Sequence, residues 1–135
     1  MRMIRRLMML NLGLVALQPI SAGLSMSGYG GAVTVHGVVA LALQVGAAAQ
    51  AVTAIVLWRR SRVPGGVAGF SVGLLVMMIL EMAAGHSRLF WLHLPIGVGI
   101  FGGLTRQVNR LDTLSASDAG RRYPTLTAPP PASPS

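Results

Sequence analysis

The chain contains no cysteine and no lysine, and it has only three acidic residues. The absence of cysteine excludes disulfides, thiolate metal ligands, covalently attached c-type haem and a cysteine nucleophile. Charged residues make up 10% of the 135 residues, well below the roughly one quarter that is usual in soluble domains. The sequence also lacks an H-E-x-x-H motif, a phosphate-binding loop and a Ser-His-Asp set, which disfavours the classical hydrolases.

Apolar runs dominate what is present, since 53% of the residues are hydrophobic and the mean hydropathy is +0.63. Four such runs predict membrane-spanning helices at about 7–24, 33–58, 67–85 and 89–105. The sequence therefore predicts an all-α fold, an integral membrane four-helix bundle over residues 1–111. Residues 112–135 end in a Pro-rich stretch without apolar periodicity, so we predict a disordered cytoplasmic tail there.

The first run has two interpretations. Three arginines precede it, and Ser21-Ala22-Gly23 resembles the small-residue cleavage site of a signal peptide. At roughly 1.5 Å per residue, however, the run is about 27 Å long, which is near the hydrocarbon thickness and favours a retained span. Its polar exceptions, Asn11 and Gln18, are typical of hydrogen bonds between membrane helices.

The arginines alternate between the two sides of the predicted spans. The chain start, the 59–62 turn and the segment from residue 106 hold three, three and four of them, and the opposite side holds only Arg88. Positive residues collect on the cytoplasmic side, so both termini are predicted to be cytoplasmic in the inner membrane. Topology thus explains the net charge of +8, and no nucleic-acid partner is predicted.

Three ionisable residues fall at one predicted depth. His36, Glu81 and His93 each lie about one turn, or roughly 5 to 6 Å, below the outer ends of three different spans. Such groups are costly in lipid, so they usually face a partner helix, a cavity or a ligand. Interhelical hydrogen bonding is the simplest interpretation. Two imidazoles in a bundle also suit a bis-histidine haem, and Gly37 and Gly97 are predicted to leave room for a macrocycle.

This layout resembles one half of haem A synthase, in which two of the four helices each place a histidine near the outer end. The resemblance covers residues 7–106 and implies that His36 and His93 are axial ligands of haem b and that Arg88 contacts a propionate. The chain departs from that family at Ala32 and Val33, where the family has a glutamate, and its buried carboxylate is on the third helix instead. Residues 85–107 also resemble uncharacterised small four-span bacterial membrane proteins, which implies no function.

Three functions remain open from the sequence. The first is an accessory or assembly subunit that contacts the lipid bilayer and a membrane-protein partner or further copies of itself. The second is a redox or haem-handling protein that binds haem b through His36 and His93. The third is a metal-ion or proton path through His36, His93 and Glu81, with soft methionine ligands for copper at Met77, Met78 and Met82.

Overall fold

The structure is a computed structural model that describes residues 2–122, without the side chains of residues 115 and 118–122. Four helices make up the fold: α1 (Arg2–Met26), α2 (Ala32–Arg59), α3 (Gly65–His86) and α4 (Phe90–Arg122). No strand occurs in the described part of the chain. The prediction of an all-α four-helix bundle is confirmed.

Short turns with unusual backbone angles separate the helices. Gly28 and Gly31, with φ of 83° and 82°, close the α1–α2 turn in the left-handed region that glycine adopts without strain. Ser61 and Arg88 take the same region in the other two turns, with φ of 53° and 56°. Because each turn is only a few residues long, successive helices run antiparallel.

The helices pack in a ring, with α1 against α2 and α4, and α3 against α2 and α4. The ring has two ends, which we name after the arginines and the histidines that they contain. The arginine end contains the chain start and the α2–α3 turn, and the histidine end contains the α1–α2 and α3–α4 turns. At the arginine end the buried core consists of Ile4, Met8, Ala54, Val63, Val67, Ala68, Val108 and Leu111.

Helix α4 continues well past the predicted end of its span at 105. The predicted boundary between bundle and tail, at 111 and 112, lies inside this helix, and the part of the predicted tail at 123–135 lies outside the described residues. Val108 and Leu111 pack against α1, and Arg5 Nε lies 2.6 Å from Asp112 Oδ1. The hydrogen bond from Arg5 and its charge hold the pKa of the exposed Asp112 below its ordinary value.

Three helices, α1, α2 and α3, are long and apolar enough to cross a membrane. Many of their large apolar side chains point outward, among them Leu17, Val45 and Ile79. A soluble domain rarely exposes so much contiguous apolar surface, whereas lipid tails cover it at no cost. Helix α4 is not in this set, because His93 and Pro95 interrupt its apolar half and its other half is polar.

Candidate functional site

His93 of α4 is tied to Glu81 of α3 near the histidine end. Its Nδ1 lies 3.0 Å from the Glu81 carbonyl oxygen and 3.2 Å from the Glu81 carboxylate Oε1. Glycine makes this approach possible, since a Cβ on Gly97 would lie 2.9 Å from Glu81 Oε1 and one on Gly85 would lie 2.9 Å from the His93 ring. Glu81 Oε2 is buried without a partner among the described residues.

His36 of α2 is tied to α1 in a similar way. Its Nδ1 lies 3.2 Å from the Gln18 carbonyl oxygen and 3.1 Å from Ser21 Oγ. The Ser21 hydroxyl in turn donates to the Gln18 carbonyl at 3.0 Å. Both histidines therefore join neighbouring helices, as the interhelical interpretation of the sequence predicts.

The two rings come together across the diagonal of the bundle. Their centroids are 6.3 Å apart, with 62° between the ring planes. A carbonyl oxygen can only accept a hydrogen bond, so the Nδ1 atoms of His36 and His93 carry the hydrogen in these contacts. The histidine end thus holds two imidazole rings whose Nδ1 atoms are engaged by neighbouring helices and whose Nε2 atoms are the nitrogens left to bind another group.

Other residues of the predicted sites lie elsewhere or have other roles. Arg88 is exposed in the α3–α4 turn, where its backbone N–H donates to the Gly85 carbonyl at 3.1 Å. Gly97 opens no room for a macrocycle, because Glu81 occupies that space, and Gly37 is exposed. No group of three His, Asp or Glu side chains arranged to hold a metal ion occurs among the described residues.

A second polar layer lies nearer the arginine end. Asn11 Nδ2 donates to Gln50 Oε1 at 2.9 Å, Gln50 Nε2 donates to Ser71 Oγ at 3.2 Å, and the Ser71 hydroxyl donates to the Val67 carbonyl at 2.9 Å. All three polar side chains are 0% exposed and come from α1, α2 and α3. Of these, only Asn11 was predicted to make such a bond. The signal for the other two was a polar side chain inside an apolar run, Gln50 in the second run and Ser71 in the third.

An apolar cluster separates the two polar layers on every helix. It consists of Val15, Leu43, Ala47, Leu74, Met78, Ile100 and Leu104. The one amide at this level, Gln44, is satisfied by the Met78 carbonyl at 2.6 Å. A proton or ion moving from the histidines toward the arginine end would have to cross this cluster.

An outward-facing groove runs between α3 and α4. It has a volume of about 370 Å³ and is lined by Phe70, Gly73, Leu74, Met77, Gly99, Ile100 and Gly103. No polar side chain lines it. A Cβ on Gly73 or Gly99 would meet no atom within 4 Å, so the backbones of both helices are open to an approaching helix here.

The described residues define a small all-α bundle with three helices apolar enough to cross a membrane and with two buried polar layers. Comparisons with protein-family models, with curated proteins and with solved structures gave no match.

Proposed function

We propose that the protein is an inner-membrane protein that crosses the bilayer four times, with both termini in the cytoplasm. The antiparallel packing of α4 against α1 and α3 supports a fourth crossing although α4 is less apolar. The arginines support the orientation, because the described ones lie at the arginine end except for Arg88. The interior histidines and Glu81 are then shielded from lipid by neighbouring helices.

Within the membrane, we propose that the protein is an accessory or assembly subunit that binds a partner through the α3–α4 groove. The observation that carries this proposal is a groove lined only by apolar side chains, in which a Cβ on Gly73 or Gly99 would meet no described atom within 4 Å. Membrane helices associate through such small-residue surfaces, because close backbone approach increases van der Waals contact. Both histidines already have interhelical partners, which is consistent with a structural role for the histidine end.

Single-cysteine variants test the groove, since the chain has no cysteine of its own. Gly73→Cys and Gly99→Cys, labelled in native membranes with a cysteine-directed photocrosslinker, are expected to give a discrete protein adduct. Val45→Cys is the matched control, because Val45 is 64% exposed on α2 and does not line the groove. An adduct of twice the chain mass would identify a second copy as the partner. Identical adducts from all three positions, or none from the groove, would contradict a docking role.

A second candidate is a haem-b protein in which His36 and His93 are the axial ligands. The supporting observation is the 6.3 Å between ring centroids. Two imidazoles bound to one iron have ligating nitrogens roughly 4 Å apart and hence ring centroids roughly 6 Å apart. The donor set fits, because both Nδ1 atoms are held by carbonyls, which leaves the two Nε2 atoms as the nitrogens that would ligate the iron. The macrocycle would require the helices to separate, and Arg88 lies at the correct end for a propionate. Bound haem would supply one-electron redox chemistry.

The spectrum of the purified protein distinguishes this candidate from the first. After expression with ample haem, a bis-histidine site is expected to give a Soret band and a dithionite-reduced minus oxidised difference spectrum. His36→Ala and His93→Ala should each abolish the signal, and His86→Ala, at the exposed C-terminal end of α3, should retain it. A colourless wild-type protein would leave the accessory role as the proposed function.

A further inference from the structure

The Nδ1 atoms of His36 and His93 are held in the way that is usual for histidines that ligate a metal. Such histidines almost always donate their second ring N–H to a carboxylate or a backbone carbonyl, which fixes the orientation of the ring. His93 Nδ1 lies 3.0 Å from the Glu81 carbonyl oxygen and 3.2 Å from its carboxylate, and His36 Nδ1 lies 3.2 Å from the Gln18 carbonyl oxygen. Neither Nε2 has a hydrogen-bond partner within the described part of the chain.

The spacing of the two rings fits one small ion between them. At a metal–nitrogen distance of roughly 2 Å, two imidazoles on opposite sides of an ion have their ligating nitrogens roughly 4 Å apart and their ring centroids roughly 6 Å apart. The centroids of His36 and His93 are 6.3 Å apart. Both side chains are partly exposed, and His93 is 20% exposed, so an ion can reach the rings. Unlike a haem macrocycle, a single ion fits this spacing without separation of the helices.

The number of ligands and the local charge select the ion. No group of three metal-binding His, Asp or Glu side chains occurs among the described residues, so the ion must be one that is stable with two protein ligands. Cu⁺ is such an ion and imidazole suits copper, whereas Zn²⁺ takes four ligands. Glu81, whose Oε2 is buried without a partner among the described residues, supplies one negative charge beside His93. One carboxylate neutralises a monovalent ion but leaves a divalent ion with a buried charge, which is costly.

We propose that His36 and His93 bind a single Cu⁺ ion through their Nε2 atoms. The methionines predicted as copper ligands are not part of this site, because Met77 and Met82 are exposed and Met78 packs in the apolar cluster. The proposal goes beyond the accessory role and does not depend on the α3–α4 groove. It uses the same imidazoles as the haem candidate, so the two ligands exclude each other. Cu⁺ has a filled d shell and no visible absorption band, so a colourless protein is compatible with a copper site.

The test uses the full-length protein in detergent, freed of metal with a chelator and then given Cu⁺ in the absence of oxygen. Native mass spectrometry is expected to show a single copper ion per chain. The ¹⁵Nε2 resonances of His36 and His93 should shift, and that of the exposed His86 should not. His36→Asn and His93→Asn should each weaken binding at least roughly tenfold, since the loss of a residue that only orients a metal ligand already costs that much. Asparagine retains an N–H donor near the Nδ1 position, and His86→Asn is the matched control that should bind as tightly as the wild type.

Four results would overturn the proposal. The first is a wild-type protein that binds no copper. The second is binding retained in both His36→Asn and His93→Asn, because other groups would then hold the ion. The third is an equal loss in His86→Asn, which would show unspecific binding to imidazoles. The fourth is tighter binding of Zn²⁺ than of Cu⁺. Circular dichroism before copper is added checks the fold of each variant, and the ¹⁵N shifts of the wild-type protein decide the question if a variant fails to fold.

Discussion

Replacing Gly46 with alanine is expected to lower the free energy of unfolding of the bundle by about 2 kcal/mol, within the range for overpacked interiors. A Cβ at this position would overlap Asn11 Oδ1. Asn11 is fully buried, and its Nδ2 is bound to Gln50, which is bound in turn to Ser71. The amide cannot rotate away without breaking this network, so the clash must separate α1 from α2.

Gly13→Ala is the matched control, because a Cβ on this glycine of α1 would meet nothing within 4 Å. Alanine is the better helix former, so the control should be neutral or slightly stabilising. Unfolding of both variants by SDS in mixed micelles measures the difference. Asn11→Ala combined with Gly46→Ala should show a coupling free energy of about 1 kcal/mol or more, because the pair shares the clash. Equal stability of Gly46→Ala and Gly13→Ala would show that the contact does not constrain the interface.

Most of the fold was predictable, because a long apolar run in a bilayer must satisfy its own backbone hydrogen bonds and therefore forms a helix. The length of α4 was not predictable in this way. Leu104, Val108 and Leu111 are buried, and the last two share a core cluster with Ile4 and Met8 of α1. Their helical spacing is the signal that the helix continues. That signal was obscured because Arg106 and Arg110 mark the end of the apolar run. A membrane span can be recognised from its composition. The extension of α4 has no such composition, because it is stabilised by packing against Ile4 and Met8.

His36 and His93 lie at the same end of the bundle, as predicted, because depth follows from the helix rise and the direction of each span. Their partners could not be predicted. Gln18 and Glu81 contribute backbone carbonyls, and every residue has one of these. The role of Gly97 depends on the rotation of α4 about its axis, which turns Gly97 toward Glu81 of α3, so that Glu81 lies where a macrocycle was expected to find room. Rotation of this kind is set by packing and cannot be read from spacing alone.

The four-span topology is expected to give an all-or-none labelling pattern. Each connection and the far half of α4 contain an exposed serine, at Ser27, Ser61, Ser87 and Ser117. Serine to cysteine changes little in size, and the chain has no other thiol to react. A membrane-impermeant maleimide applied to intact spheroplasts reports which of the four thiols face outward, and labelling after permeabilisation is the control for reactivity.

This labelling experiment tests the central claim, that the bundle crosses the inner membrane four times with its histidine end outward. We predict that Ser27→Cys and Ser87→Cys react in intact spheroplasts, and that Ser61→Cys and Ser117→Cys react only after permeabilisation. Labelling of Ser87→Cys and Ser117→Cys from the same side would contradict the claim, because α4 would then fail to cross.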